Sequence, residues 1–208
     1  MAKESPFVTL AHKVASAVLE APLSIGRGQP LLYELKVSNK LEVMRPEQIK
    51  KPKRGSSAFE NDLCVFEQVE DEIKIPRVVI EFKTRITTHD ILTYSAKAER
   101  HKRIYPYLRY GMLASSEKAI PGRAFTHNES LDFFFAVSGM PEMEFKEQFA
   151  ELMQAEVAAS KLLEKIAYAK LPTRLFRMHP IVAQNAYSYK RTPGQAQMRL
   201  CIQPQVAR

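Results

Sequence analysis

The sequence predicts an α/β domain, a mixed β-sheet flanked by helices, and three observations carry that prediction. Asn61 to Val69 and Ile75 to Lys83 have strand character and are separated by the acidic turn Glu70-Asp71-Glu72, so they read as a hairpin. Capped helical patterns stand before and after this hairpin. The resulting order, helix, three strands, helix, two strands, helix, places the strands in one sheet covered by helices.

Ser5-Pro6 reads as an N-cap followed by proline at the first helical position, and Phe7, Ala11, Val14, Ala15, Val18 and Leu19 recur at helical spacing until Pro22. Ile25-Gly26-Arg27-Gly28-Gln29 lacks the lysine and the length of a phosphate loop and reads as a turn. Leu31 to Val43, with Leu31, Tyr33, Leu35 and Val37 alternating, predicts a strand. Residues 45–57 combine prolines, a glycine and basic residues without periodicity and read as a loop.

Beyond the hairpin, Thr87 or Thr88 caps a second helix with Asp90 in its first turn, running through Ile91, Leu92, Ser95 and Ala98 to about Ile104. Strands are expected at Leu108 to Ala114 and at Leu131 to Val137. From Pro141 a long helix has Glu142 and Glu144 in its first turn, Lys170 late and Pro172 as its stop. The whole chain, 1–208, reads as one domain, with a core over about 5–137 and a C-terminal helical extension over about 141–208.

With 31 basic against 23 acidic residues the net charge is +8, which points to nucleic acid ahead of an anionic membrane or acidic partners. Cys64 and Cys201 stand far apart without metal-ligand spacing and read as reduced thiols. The N-terminus carries charge too early for a signal peptide, and no run approaches a membrane span, so a soluble cytoplasmic protein is expected. The five histidines show no metal pattern, and His89 and His101 read as polar surface residues.

The informative charges lie on the hairpin. An otherwise apolar strand should not carry ionisable groups without a reason, and Val78 to Lys83 carries two. Side chains alternate along a strand, so Glu81 and Lys83 share a face. If the hairpin turns about Asp71-Glu72, Asp62 falls opposite Glu81. Two carboxylates side by side repel unless a cation sits between them, and hard oxygen donors select Mg²⁺, with Mn²⁺ able to substitute. The backbone carbonyl of Phe82 offers another oxygen, and Lys83 can orient or deprotonate a water, or balance charge on a phosphate under attack.

Asp62 followed by Glu81-Phe82-Lys83 resembles the D…(D/E)xK signature of the PD-(D/E)xK, or restriction-endonuclease-like, nuclease superfamily, whose αβββαβ core the predicted order also resembles over about residues 5–137. Asn61 stands where that signature's name has proline, and Glu34-Leu35-Lys36 is a second ExK triplet without a preceding aspartate. The resemblance implies that Asp62 and Glu81 bind divalent metal, that Lys83 positions the attacking water, and that Glu34 or Glu20 supplies an extra acid. It also implies a Mg²⁺-dependent DNA endonuclease leaving 5′-phosphates, of the restriction or phage-defence type, acting as a homodimer without an organic cofactor. The same chemistry serves repair and recombination nucleases, and the same basic scaffold serves a non-catalytic nucleic-acid-binding protein.

Lys50, Lys51, Lys53 and Arg54 precede the hairpin closely enough to neutralise phosphates of a duplex across the site. On the second helix His89, Thr93, Lys97, Arg100 and Arg103 recur at three- and four-residue steps as a basic stripe. Tyr94, Tyr105, Tyr107 and Tyr110 cluster nearby, for stacking on bases or for packing. A dimer interface is expected on the long helix after Pro141 or on the C-terminal segment.

Overall fold

The computed structural model describes residues 6–45, 47–55, 57–71 and 73–175. Ser5, Cys201 and the tail beyond residue 175 lie outside the described residues. The elements run α1 Pro6–Val18, β1 Leu23–Leu32, α2 Glu47–Lys50, β2 Ala58–Glu70, β3 Ile73–Lys83, α3 Thr88–Ile104, β4 Arg109–Ala114, α4 Arg123–Thr126, β5 Phe133–Ala136 and α5 Glu142–Ala167. The protein is therefore mixed α/β, and the helix, three-strand, helix, two-strand, helix order holds, with two added helical turns.

The first strand is not where its apolar alternation placed it. The expected turn at residues 25–29 lies inside β1, while residues 33–45 keep only an isolated bridge, Val37 to Val43. Pairing with β2 overrides the turn-forming Gly26, Gly28 and Pro30. Proline is tolerated because β1 is the sheet's edge, where a missing N–H breaks no ladder. Residues 33–45 find no such partner and leave Leu35, Val37 and Leu41 exposed, the last at 87%.

The five strands stand in sequence order, antiparallel from β1 to β3 and parallel from β3 to β5. A parallel neighbour requires a crossover, and α3 supplies it between β3 and β4. Gly111 of β4 lets the ring of its β5 partner Phe133 lie over β4, since a Cβ there would meet that ring at 2.2 Å.

Each face of the sheet is covered. On one face α1 and α5 pack Ala11, Val14, Phe145, Phe149, Met153 and Val157 against Leu63, Val65, Val78 and Ile80. On the other, α3 packs Ile91 and Ala98 against Cys64, Phe66, Val79 and Met112. Helix α5 thus packs its apolar stripe into this core. Buried ion pairs fix it there: Arg77 reaches Glu67 and Glu164, and Arg109 reaches Asp132 and Glu156. The described residues belong to one compact unit. Among them no helix is long and apolar enough to cross a membrane.

Candidate active site

Strands β2 and β3 meet in the expected register next to Asp62 and Glu81, with Leu63 opposite Ile80, Cys64 opposite Val79 and Val65 opposite Val78. The ladder then opens. At the next step the Asp62 carboxylate accepts a hydrogen bond from the Phe82 N–H at 2.8 Å, a side chain standing where a backbone acceptor would continue the pairing. Asp62 and Glu81 are neighbours, as the register requires, but Asp62 is turned onto the β3 backbone.

Side-chain alternation slips at the same place. Leu63 and Val65 face α1 and α5, so strict alternation would send Asn61 and Phe59 there too. Instead Phe59 meets His101 of α3 edge-on at 5.9 Å, and Asn61 Oδ1 lies 3.1 Å from the Tyr110 hydroxyl. Asn61 also donates to the carbonyls of Gln29 and Phe59, which fixes the irregular turn of chain around Asp62. Gly28, between the residues that pair with Asn61 and Leu63, takes a φ of +58°, a conformation that favours glycine.

Glu81 is only 2% exposed. Its Oε1 accepts from Lys97 Nζ at 2.5 Å and from the Tyr110 hydroxyl at 2.6 Å. Tyr110 has one proton to give, and the shorter bond to a charged acceptor takes it. Burial raises the Glu81 pKa, with the Asp62 charge pushing the same way and Lys97 opposing. Burial also lifts the Tyr110 phenol well above its ordinary value, so it remains a donor at neutral pH.

Lys83 points along the same face, 3.8 Å from Asp90 and 4.6 Å from the centre of the Tyr94 ring. Burial pulls its pKa down, but Tyr94, Asp90 and Asp62 outweigh that and raise it, so Lys83 is an ammonium near neutrality. Asp90 is itself held in a capping box with Thr87, so the start of α3 positions Lys83.

The remaining expected residues separate. Glu34 is engaged by Ser57 and Lys36, and Glu20 precedes Leu23, whose partner Glu67 lies five residues, about 17 Å, along β2 from Asp62. Among the described residues no group of three or more His, Cys, Asp or Glu side chains is gathered for a metal. Glu60 binds Arg54 through its carboxylate, which brings the end of the basic segment beside the site. Lys50, Lys51, Lys53 and Arg54 are exposed, as are Arg100 and Arg103 on α3. Arg103 pairs with Glu99.

Lys97 departs from the basic stripe, being 14% exposed and turned inward onto Glu81. His101 is not a surface residue but fully buried, with Nδ1 2.8 Å from the Leu32 carbonyl. A carbonyl only accepts, so Nδ1 carries the proton. Tyr107 and Tyr110 are buried packing residues, and Tyr94 stays at the site. The inward role of Tyr110 depends on the parallel β3–β4 register, which sequence spacing does not encode. His101 did leave a signal, since it continues the buried spacing of Ile91, Ser95 and Ala98.

The donor set suits a hard divalent cation. The described bonds engage Oδ2 of Asp62 and Oε1 of Glu81, one oxygen of each carboxylate. The N–H and C=O of a strand residue point to the same side, so the Phe82 carbonyl faces β2 with the N–H that Asp62 holds, beyond the last β2–β3 pair. No protein-family model and no curated protein sequence matches the chain.

Proposed function

We propose that this protein is a metal-dependent nuclease of the PD-(D/E)xK superfamily that hydrolyses phosphodiester bonds in DNA. The observation that carries this reading is Asp62 bonded to the Phe82 N–H at the opened end of the β2–β3 ladder, beside buried Glu81 and with Lys83 on the same face. Asp62, Glu81 and the Phe82 carbonyl would hold Mg²⁺, or Mn²⁺ in its place. When bound, the cation acidifies a water and offsets charge on the phosphate.

The chain's own residues do the rest. Lys83 orients the attacking water and balances phosphate charge. Lys50, Lys51, Lys53, Arg54, Arg100 and Arg103 neutralise the DNA backbone on either side of the site. Cleavage leaves a 5′-phosphate. A homodimer of the restriction or phage-defence type would set two such sites on the two strands of a duplex.

Incubation of plasmid, linear and single-stranded DNA with Mg²⁺, Mn²⁺ or chelator tests the reading. Metal-dependent cleavage lost in Asp62→Ala is the expected outcome. DNA binding without cleavage of any of these substrates by the wild type would reject it.

A further inference from the structure

We infer that Lys97 is a built-in second cation of this site, a positioning residue that holds one oxygen of Glu81 and limits the site to a single divalent ion. The inference rests on the nuclease reading and specifies its metal requirement.

Two independent observations support it. The first is the contact itself. Lys97 Nζ lies 2.5 Å from Glu81 Oε1 and 2.7 Å from the backbone carbonyl of Glu60. The rings of Tyr94 and Phe59 flank it, at 5.6 and 5.9 Å from their centres. A carboxylate as buried as Glu81 needs a counter-charge, and this one is covalently part of the fold. The second is the acid count. A two-metal site clamps its ions about 3.5–4 Å apart and needs carboxylates to neutralise both. Among the described residues no third acid joins Asp62 and Glu81.

The two lysines therefore divide the work. Lys83, 29% exposed, stands on the solvent side where a phosphate arrives, whereas Lys97 stands behind Glu81. With Oε1 taken by Lys97 and Tyr110, the other Glu81 oxygen is left for the cation that Asp62 shares. A second divalent ion on Glu81 would meet the fixed ammonium and be repelled.

Mn²⁺ titration of the full chain, followed by the electron paramagnetic resonance signal of free Mn²⁺, reads both stoichiometry and affinity. The wild type is expected to bind one Mn²⁺ per chain. Lys97→Met removes the repelling charge and is expected to bind Mn²⁺ about tenfold more tightly, whereas damage to the fold would weaken binding. Lys97→Arg keeps the charge and stays near the wild-type affinity. Two Mn²⁺ per wild-type chain, both lost in Asp62→Ala, would overturn the role of Lys97 and leave the nuclease reading standing. So would a Lys97→Met protein that is folded by circular dichroism and binds Mn²⁺ no more tightly than wild type. If Lys97→Met does not fold, the wild-type stoichiometry decides. No Mn²⁺ bound by the wild type would remove the nuclease reading and this inference together.

Discussion

The two faces of the sheet are built from the same strands and differ in what they bury. Toward α1 and α5 the strands bury apolar Leu63, Val65, Val78 and Ile80, with Arg77 and Arg109 neutralised by carboxylates of α5, and aromatic rings fill the gap, with Phe145 and Phe149 stacked 5.2 Å apart. Toward α3 the same strands and β4 bury Glu81, Asn61 and Tyr110, with Lys97 and His101 reaching in from the helix. Burying ionisable groups opposes folding unless each finds a partner, and apolar side chains of similar size would fill the space at lower cost. The contrast teaches that ionisable groups on the α5 side are paired between strand and helix, whereas those on the α3 side converge on Glu81, where the proposed nuclease reading places the chemistry.

The largest effect expected from breaking this contrast lies on the packing face. Phe149→Ala removes a fully buried ring and should destabilise the protein by about 3–5 kcal/mol in urea unfolding. Mn²⁺ affinity measured where the variant remains folded should be unchanged. A variant with wild-type stability would mean that α5 is not part of the core.

Next is acid sensitivity on the α3 face. Burial lowers the His101 pKa from 6.5 to about 4, with the Lys97 charge adding to it and the bond to Leu32 opposing it. A histidine depressed in the folded state contributes stability that is complete above its unfolded value and is lost as pH falls toward the folded one. Between pH 6.5 and 4 the protein should lose about 3 kcal/mol to His101 alone. Urea titrations across that range should show a shallower loss in His101→Gln, and identical slopes would contradict the assignment.

Glu81 has the opposite sign. Its folded pKa is raised, so its contribution to stability is present below its ordinary value of 4.5 and is lost as pH rises through the folded one. At neutral pH Glu81→Gln should therefore keep or gain stability, even though it removes a charge partner from Lys97. A loss above about 1 kcal/mol would show that the Lys97 ion pair outweighs burial. The smallest effect belongs to Arg103→Ala, an exposed pair with Glu99, where a stability change of roughly 0.5 kcal/mol or less and a modest weakening of DNA binding are expected.

The hairpin register was legible in the sequence for a reason the structure makes plain. Val69 on β2 and Arg77 on β3 are each an extra residue, on opposite strands, so their shifts cancel before the site. Counting back from the acidic turn therefore gives the observed pairs from Val65 and Val78 to Leu63 and Ile80, the step before Asp62 and Glu81. Strand β1 was hidden by Gly26, Gly28 and Pro30, whose local preference for a turn yields to pairing with β2. Residues 33–45 made the converse error possible, alternating like a strand with no neighbour to pair along their length. Lys97 read as one more member of a surface stripe because its inward turn is set by Glu81, sixteen positions away in sequence.

The central claim, that the α3 face carries the chemistry, is tested most directly by comparing DNA cleavage by Glu81→Gln and Phe149→Leu in one metal-dependent assay. The account predicts that Glu81→Gln folds as stably as wild type and does not cleave, while Phe149→Leu is less stable and cleaves at the wild-type rate where folded. Cleavage by Glu81→Gln at the wild-type rate would contradict it.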